Sequence, residues 1–264
     1  MSALRIGSVP YLNAKPLVDW FHEPECDADA EVTYAVPAEL AARLRDGELD
    51  VAMVSVFELF RGPGLRMVPG VSVSADGPVG SVRLLSRVSP RRIGSVALDT
   101  SSLTSAALTR VLLSEVYGLQ PRYVPHSPDL PAMLAVCDAA LIIGDLRLFA
   151  RPASHVIDLG AEWKAHTGLP FVYAGWLARE DGPAAAAAQI LTRARDWGVS
   201  HLEALSTRWA ERMGLPLARV RDYFLNVMRY GLDEPAWTGL RTFQERCVAH
   251  GLVEARVPLR MVGE

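Results

Sequence analysis

Short apolar runs alternate with helix-like segments along the first 60 residues. Residues 4–9, 31–36 and 49–56 are apolar enough to be strands with at least one buried face. Between the last two, apolar residues recur at helical spacing from Pro37, and Gly47 marks the end of that helix. This strand–helix–strand order predicts a parallel sheet covered by helices.

The pattern repeats after a polar interruption at residues 89–92. Residues 93–98 predict a buried strand, and apolar positions at helical spacing predict a helix from Leu103 to Tyr117. Strands are also predicted at 65–73, 79–88, 122–125, 139–143 and 156–159, and short helices at 130–136, 146–150 and 163–168. The middle of the chain therefore forms a second α/β unit.

The chain then returns to its first unit. The apolar run 169–179 is predicted to be the second crossover, with residues 89–92 as the first. Helices follow at 183–205, 206–213, 216–229 and 235–250. We predict two α/β domains joined by two hinge crossovers, with 1–90 plus 178–264 as the larger lobe and 91–177 as the smaller. Such a fold places a ligand in the cleft where strand ends meet helix N-termini.

The composition is that of an ordinary globular protein, with 50% hydrophobic and 22% charged residues. A net charge of −3 without a clustered basic face gives no reason to expect nucleic acid. The sequence shows no leader pattern, and no apolar stretch reaches the roughly 20 residues of a membrane-spanning helix. We therefore expect a cytoplasmic protein with neither nucleic acid nor membrane as a partner.

The cysteines and histidines give no metal or redox pattern. Cys26, Cys137 and Cys247 are far apart and form no CxxC pair, and the six histidines form no HxxxH or HExxH pair. No dinucleotide-binding fingerprint is present either. We expect no metal and no cofactor.

A run of hydroxyl side chains separates a predicted strand from a predicted helix near the middle of the chain. Residues 99–105 read Asp-Thr-Ser-Ser-Leu-Thr-Ser. The first turn of a helix leaves N–H groups without intrahelical partners, and the macrodipole makes this end partly positive. The pattern therefore favours a site for a carboxylate or phosphate. The alternative is an ordinary Ser/Thr cap whose remaining hydroxyls face water.

Five stretches, in order, give the chain a resemblance to a known family. They are Arg5-Ile6-Gly7 with Tyr11-Leu12-Asn13 and Pro16, then residues 77–82, 98–105, 142–145, and 158–163 continuing into 167–174. Together they resemble chorismate dehydratase, which starts the futalosine route to menaquinone. The resemblance implies a two-lobed fold like that of type II periplasmic binding proteins, reused inside the cell as an enzyme.

The reaction that the resemblance implies needs no metal or redox cofactor. Chorismate loses its C3 proton and its C4 hydroxyl, giving 3-[(1-carboxyvinyl)oxy]benzoate and water. The ring carboxylate acidifies the C3 proton, and the ring becomes aromatic. The protein must supply charge stabilisation and orientation.

The resemblance implies that Asn13 and Ser81 are catalytic. The Asn13 amide can donate to a carboxylate or to the leaving hydroxyl, and the alternative is an Asx-turn that closes the loop between Pro10 and Pro16. Ser81 can hydrogen-bond the substrate, and its alternative is an exposed strand serine. Since His166 is the only histidine in the matched stretches and is expected on the surface, we interpret the substrate's own enolpyruvyl carboxylate as the base.

Further residues are expected to bind the substrate. Tyr11 either lines the cleft or packs, and Asp145 either faces the cleft or caps a helix at Leu146. The full set of expected binding residues is Tyr11, Ser55, Ser101, Ser102, Thr104, Ser105, Asp145, Thr167 and Gly168.

Two other functions remain open on the sequence. One is the sister enzyme of the same pathway, 1,4-dihydroxy-6-naphthoate synthase, whose N-terminal turn differs from the Tyr11-Leu12-Asn13 pattern. The other is a non-catalytic protein that binds a small anion, because a fold alone does not fix a function. The expected partner is a small dicarboxylate, chorismate, and a homodimer is left open.

Overall fold

The structure is a computed structural model that describes residues 3–99, 101–144 and 154–264. The chain divides into two compact units, and each contains one sheet with helices. The α/β prediction is therefore confirmed. Two predictions, the helix at 146–150 and the site residue Asp145, lie outside the described residues.

The helices and strands are numbered in chain order. The strands are β1 Leu4–Ser8, β2 Ala30–Tyr34, β3 Val51–Ser55, β4 Leu65–Ala75, β5 Val82–Ser86, β6 Ser95–Asp99, β7 Arg122–His126, β8 Ala139–Ile143, β9 His155–Asp158, β10 Phe171–Arg179 and β11 Met228–Arg229. The helices are α1 Lys15–Val18, α2 Pro37–Arg45, α3 Leu103–Glu115, α4 Leu130–Val136, α5 Leu159–Thr167, α6 Ala184–Ser200, α7 Leu202–Met213, α8 Leu217–Asp222 and α9 Glu234–Ala249.

The sheet of unit 1 has the order β11-β4-β10-β3-β1-β2. β1 runs parallel to both β2 and β3, as the sequence predicts, while β10 runs antiparallel to β3. Helix α2 buries Leu40, Ala41 and Leu44. It packs so closely that a Cβ on Gly7 would lie 2.6 Å from a Leu49 methyl carbon and 2.8 Å from one of Leu40. Gly7 therefore permits the contact between α2 and the sheet.

The sheet of unit 2 has the order β7-β6-β8-β5-β9. β6 runs parallel to β7 and β8, whereas β5 runs antiparallel to β8 and β9. Leu85, Ala97, Ala140 and Ile142 form a buried cluster with residues of α4. Burying a Leu or Ile side chain contributes about 1.5–3 kcal/mol, so this cluster fixes the middle of the sheet.

The unit boundaries differ from the predicted lobes. Unit 1 comprises Met1–Ser74, Val172–Trp237 and Val257–Glu264, and unit 2 comprises Ala75–Phe171 and Thr238–Arg256. The predicted lobes were 1–90 plus 178–264, and 91–177. The first boundary lies earlier because β5 pairs with β8 and β9 inside unit 2.

Helix α9 begins in unit 1 and continues into unit 2. The Phe243 ring lies 5.9 Å from the Trp163 ring and 4.9 Å from the Phe171 ring, measured between centroids. Arg246 and His250 bind Glu115 at the end of α3. These apolar and ionic contacts explain why residues 238–256 belong to unit 2.

The helix predicted at 216–229 is wrong in its second half. α8 ends at Asp222, a wide helical turn covers Tyr223–Val227, and β11 then joins the edge of the first sheet. The backbone N–H of Ser72 donates to the Tyr230 carbonyl oxygen at 3.0 Å. Pairing with β4 therefore outweighs the local helical pattern.

No helix within the described residues is both long and apolar enough to cross a membrane. All three cysteines are free, and Cys137 and Cys247 are buried. Burial raises the pKa of the Cys247 thiol to about 12, which makes it unreactive at neutral pH.

Candidate functional site

The carboxyl ends of β6 and β8 share one edge of the unit 2 sheet, because these strands are parallel. β5 is antiparallel to β8, so it begins at this edge, and the backbone N–H of Gly144 donates to the Ser81 carbonyl oxygen at 3.1 Å. β9 ends there as well, with Asp158 opposite Arg83. We call this region, comprising Ser81, Asp99, residues 101–105, Gly144 and Asp158, the unit 2 edge.

The N-terminus of α3 carries an ordered hydrogen-bond arrangement. Asp99 accepts from the backbone N–H of Ser101 at 2.8 Å and from its hydroxyl at 2.6 Å. Ser102 is the N-cap: its oxygen accepts from the Ser105 N–H at 3.2 Å, and its hydroxyl donates to the Ser105 hydroxyl oxygen at 2.8 Å. No described residue accepts from the N–H of Leu103. The helix end therefore retains a donor and its partial positive charge for an anion.

The four predicted hydroxyl residues differ in exposure. Ser101 and Ser102 are half-buried, whereas Thr104 and Ser105 are 1% and 2% exposed. Ser102 is an ordinary helix N-cap, as one of the two sequence interpretations expects. The Leu103 N–H beside it still has no acceptor among the described residues. Both functions are compatible, since a cap uses one N–H of the first turn and leaves others.

Asp158 is a site-building residue that the sequence interpretation missed. Its carboxylate caps α5 by accepting from the N–H groups of Gly160 and Ala161, both at 3.0 Å. It also accepts from the N–H of Val79 at 3.1 Å and from that of Gly80 at 2.7 Å. One side chain thus joins two of the stretches that carry the family resemblance. The N-cap signal before residues 159–167 was present in the sequence.

Ser81 follows directly on the loop that Asp158 holds. It is 3% exposed, so the exposed-serine alternative is wrong. Its position at the start of β5 is fixed from both sides, by Asp158 through Gly80 and by Gly144 through the backbone. The predicted catalytic role of Ser81 stays a prediction.

His126 also lies beside the unit 2 edge and was not predicted. It is the last residue of β7, and its register partner is Asp99. Its Nδ1 lies 2.6 Å from the Ser127 carbonyl oxygen. Because a carbonyl oxygen only accepts, Nδ1 carries a proton and Nε2 of the neutral ring is an acceptor.

Thr167 and Gly168 end α5. The Thr167 hydroxyl donates to the Trp163 carbonyl oxygen at 2.8 Å and accepts from the Leu169 N–H at 3.2 Å. Gly168 has φ = 73°, a left-handed conformation typical of a helix C-terminus, and Lys164 Nζ donates to its carbonyl oxygen at 2.9 Å. These contacts give both residues a structural role, and their predicted contact with substrate stays a prediction.

A second set of predicted residues lies at one edge of the unit 1 sheet. β1 and β3 are parallel, so Tyr11 and Asn13 after β1 and Ser55 at the end of β3 share this edge, which we call the unit 1 edge. Ser55 is 8% exposed and its oxygen accepts from the Phe57 N–H at 3.3 Å, which makes it the cap of the following turn. Tyr11 is half-buried.

Asn13 sits in a single 3₁₀ turn, Leu12–Ala14, that precedes α1. The turn is closed by the backbone, since the Ala14 N–H donates to the Tyr11 carbonyl oxygen at 3.2 Å. The half-buried Asn13 amide makes no hydrogen bond to any described residue, so the Asx-turn alternative finds no support. An amide in this state retains two donors and an acceptor for a ligand.

The carboxylates described at the unit 2 edge accept hydrogen bonds from the protein itself. Asp99 and Asp158 accept from N–H and hydroxyl donors, as described above. Within the described residues, no three His, Cys, Asp or Glu side chains are grouped closely enough to hold a metal ion. The edge therefore offers hydrogen-bond donors to an anion.

The chain matches a family model and is similar in sequence to two characterised relatives. Residues 4–249 match the model of a family described as menaquinone biosynthesis. The chain is 36% identical over 234 residues to chorismate dehydratase of Thermus thermophilus, covering 81% of this chain and 85% of that protein. It is 27% identical over 252 residues to chorismate dehydratase of Campylobacter jejuni, covering 93% and 98%.

The fold has relatives among solved structures. The periplasmic aliphatic sulphonate binding protein SsuA of Escherichia coli aligns with a TM-score of 0.64 and 18% identity, covering 97% of this chain and 95% of that one. This likeness confirms the predicted fold of periplasmic binding proteins. With most of its length matched by the family model, the chain belongs to the menaquinone biosynthesis family.

Proposed function

We propose that this protein is a chorismate dehydratase, which converts chorismate to 3-[(1-carboxyvinyl)oxy]benzoate and water. The observation that carries the proposal is the 36% identity with a relative of that name over 81% of the chain. The open N-terminus of α3 supports it, because chorismate carries two carboxylates that such a helix end can bind.

The chemical step requires stabilisation of negative charge. Loss of the C3 proton sends electron density toward the ring carboxylate, and expulsion of the C4 hydroxyl then completes the aromatic ring. Hydrogen-bond donors fixed in advance at that carboxylate lower the barrier, because they need no reorganisation during the reaction. The Leu103 N–H at the start of α3, which no described residue accepts, is suited to this task.

Asn13 and Ser81 are assigned to orientation of the substrate. The Asn13 amide has donors available for a carboxylate or the leaving hydroxyl. Ser81 is buried and held in place by the loop that Asp158 binds. Groups held this firmly can restrict the substrate to the geometry of elimination and disfavour competing rearrangement.

The base is assigned to the enolpyruvyl carboxylate of the substrate itself. Asp99 and Asp158, the two carboxylates described at the unit 2 edge, are both occupied by protein donors. A carboxylate carried by the substrate needs no such group from the protein. His126 is the side chain that competes with this assignment.

The test is to mix the purified protein with chorismate and follow the products by mass and ultraviolet absorbance. A product lighter by one water, with an aromatic spectrum, is expected. Heat-denatured protein serves as the control, because chorismate also reacts spontaneously in solution. Unchanged chorismate with a folded, monodisperse sample would contradict the proposal, and turnover of cyclised futalosine would assign the sister synthase instead.

A further inference from the structure

Unit 1 contains a surface cavity that the proposed reaction does not use. It has a volume of about 590 Å³, within the range of small-molecule sites. The residues that line it are Lys15, Asp19, His22, Glu23, Tyr34, Arg208, Trp209 and Arg212. They come from the start of the chain, the end of β2 and α7, and Asn13 is not among them.

Two buried ionisable groups form the floor of the cavity. Lys15 and Asp19 are only 6% and 4% exposed. The Lys15 ammonium lies 4.9 Å from the centre of the Tyr34 ring and 4.4 Å from that of Trp209. Asp19 accepts from Trp209 Nε1 at 2.6 Å. Burying charged groups is costly, and these contacts hold the two aromatic rings in fixed positions.

The charges around the cavity favour an anion. Three cations, Lys15, Arg208 and Arg212, face two carboxylates, Asp19 and Glu23, leaving one positive charge in excess. Glu23 is paired with Arg208. Arg212 is exposed, has no acidic partner within the described residues, and lies with its guanidinium 5.3 Å from the Trp209 ring centre. A carboxylate is the partner that such a guanidinium binds best, often through two hydrogen bonds.

Part of the cavity lining is aromatic. Tyr34 is 37% exposed, and its ring stacks on that of His22 with centroids 5.9 Å apart. Burial raises the pKa of Tyr34 to about 12, so its hydroxyl keeps its proton at neutral pH. That hydroxyl lies 2.7 Å from His22 Nε2. His22 and the Lys15 ammonium both lie over the Tyr34 ring, so this part of the lining offers the remaining exposed part of the ring, with polar groups beside it.

We propose that this cavity is a second small-molecule site, which binds an aromatic or otherwise unsaturated carboxylate. The carboxylate pairs with Arg212, and the planar part of the ligand packs against the parts of the Trp209 and Tyr34 rings that Lys15 leaves exposed. Neither contact requires a residue assigned to the dehydration of chorismate.

The test is a fluorine NMR titration of the full-length protein with 4-fluorobenzoate, and in parallel with 4-fluorobenzylamine as a cation of matched shape. We expect saturable binding of the benzoate and none of the amine. Arg212→Ala should weaken benzoate binding about tenfold, the loss expected for one charge-assisted hydrogen-bonding group. Arg212→Lys should retain part of the affinity, because it keeps the charge.

The matched control is Arg219→Ala, which removes an exposed arginine from α8 outside the cavity. It should leave benzoate affinity unchanged. Equal affinity in the wild type and in Arg212→Ala would place the probe elsewhere and overturn the proposal. Tighter binding of the amine, or no saturation of the benzoate at millimolar concentration, would overturn it too.

Discussion

The unit 1 edge and the unit 2 edge hold their polar side chains in different ways. At the unit 2 edge, Asp99, Ser102 and Asp158 are all engaged by N–H or hydroxyl donors of the protein. At the unit 1 edge, the Asn13 amide has no described partner. Groups that are already bonded shape a site, whereas an unengaged amide is available to what binds there. The comparison separates residues that build the site from residues that contact the substrate.

The strongest test of this comparison is Asn13→Ala set against Ser102→Ala. Asn13→Ala should lower kcat about 100-fold, since losing one positioned donor costs roughly 3 kcal/mol of transition-state stabilisation. Its free energy of unfolding should change by less than about 0.5 kcal/mol. Ser102→Ala should lower the free energy of unfolding by about 1 kcal/mol, because it removes a helix cap. Chorismate turnover and urea unfolding measure both. If Asn13→Ala is destabilised but keeps wild-type turnover, Asn13 builds the fold and does not contact the substrate.

A smaller effect on turnover is expected from Asp158→Asn. The Asp158 carboxylate accepts from four backbone N–H groups through its two oxygens. An asparagine side chain has only one acceptor oxygen, and its NH2 group would face N–H donors, so the loop before Ser81 should shift. We expect kcat to fall about tenfold with little change in KM, and the free energy of unfolding to fall by about 2 kcal/mol.

The matched control is Asp138→Asn. Asp138 also accepts from the protein, from the Gly94 N–H at 3.1 Å and the Ser95 hydroxyl at 3.0 Å, but at the opposite edge of the same sheet. It should lower stability and leave kcat unchanged. If both variants reduce kcat equally, Asp158 acts through stability alone and has no positioning role.

Glu115→Gln is expected to change stability without changing turnover. Burial raises the pKa of Glu115, but hydrogen bonds from His250 and His166 outweigh it and hold the pKa below its ordinary 4.5. The charged carboxylate therefore stabilises the fold above pH 4.5, and this contribution is lost as the pH falls through the lowered pKa. Urea unfolding should show a loss of about 1–2 kcal/mol at pH 7 that shrinks below pH 4.5. A pH-independent difference would mean that the charge is not responsible.

The smallest effect is expected from His126→Gln. If the substrate supplies its own base, turnover should fall less than about threefold, and the pH profile of kcat should keep its shape. A fall of two orders of magnitude, with loss of the acid limb of the profile, would assign the base to His126. That result would also place a substrate contact at the unit 2 edge that the hydrogen-bond pattern alone did not reveal.

Local patterns in the sequence predicted some of the strands and one helix cap correctly. The parallel arrangement of β1, β2 and β3 followed from strand–helix–strand order, and the cap at Ser102 followed from the hydroxyl run. Both depend on residues that are close in the sequence. Side-chain spacing alone specifies such features.

Long-range partners could not be predicted in the same way. Asp158 binds the N–H of Val79, 79 positions earlier, and Glu115 binds His250, 135 positions later. Nothing in either local sequence indicates the other. The pairing of β5 with β8, which moves the first boundary to residue 74, is likewise set by tertiary contacts.

The path of α9 has a consequence for how the protein folds during synthesis. The rings of Trp163 and Phe171 lack one of their packing partners until Phe243 has been translated, more than 70 residues after Phe171. Unit 2 therefore cannot complete its core while the ribosome is still adding the helices of unit 1. A truncation after residue 237 should expose apolar surface on unit 2, and neither unit can be expressed as one continuous fragment.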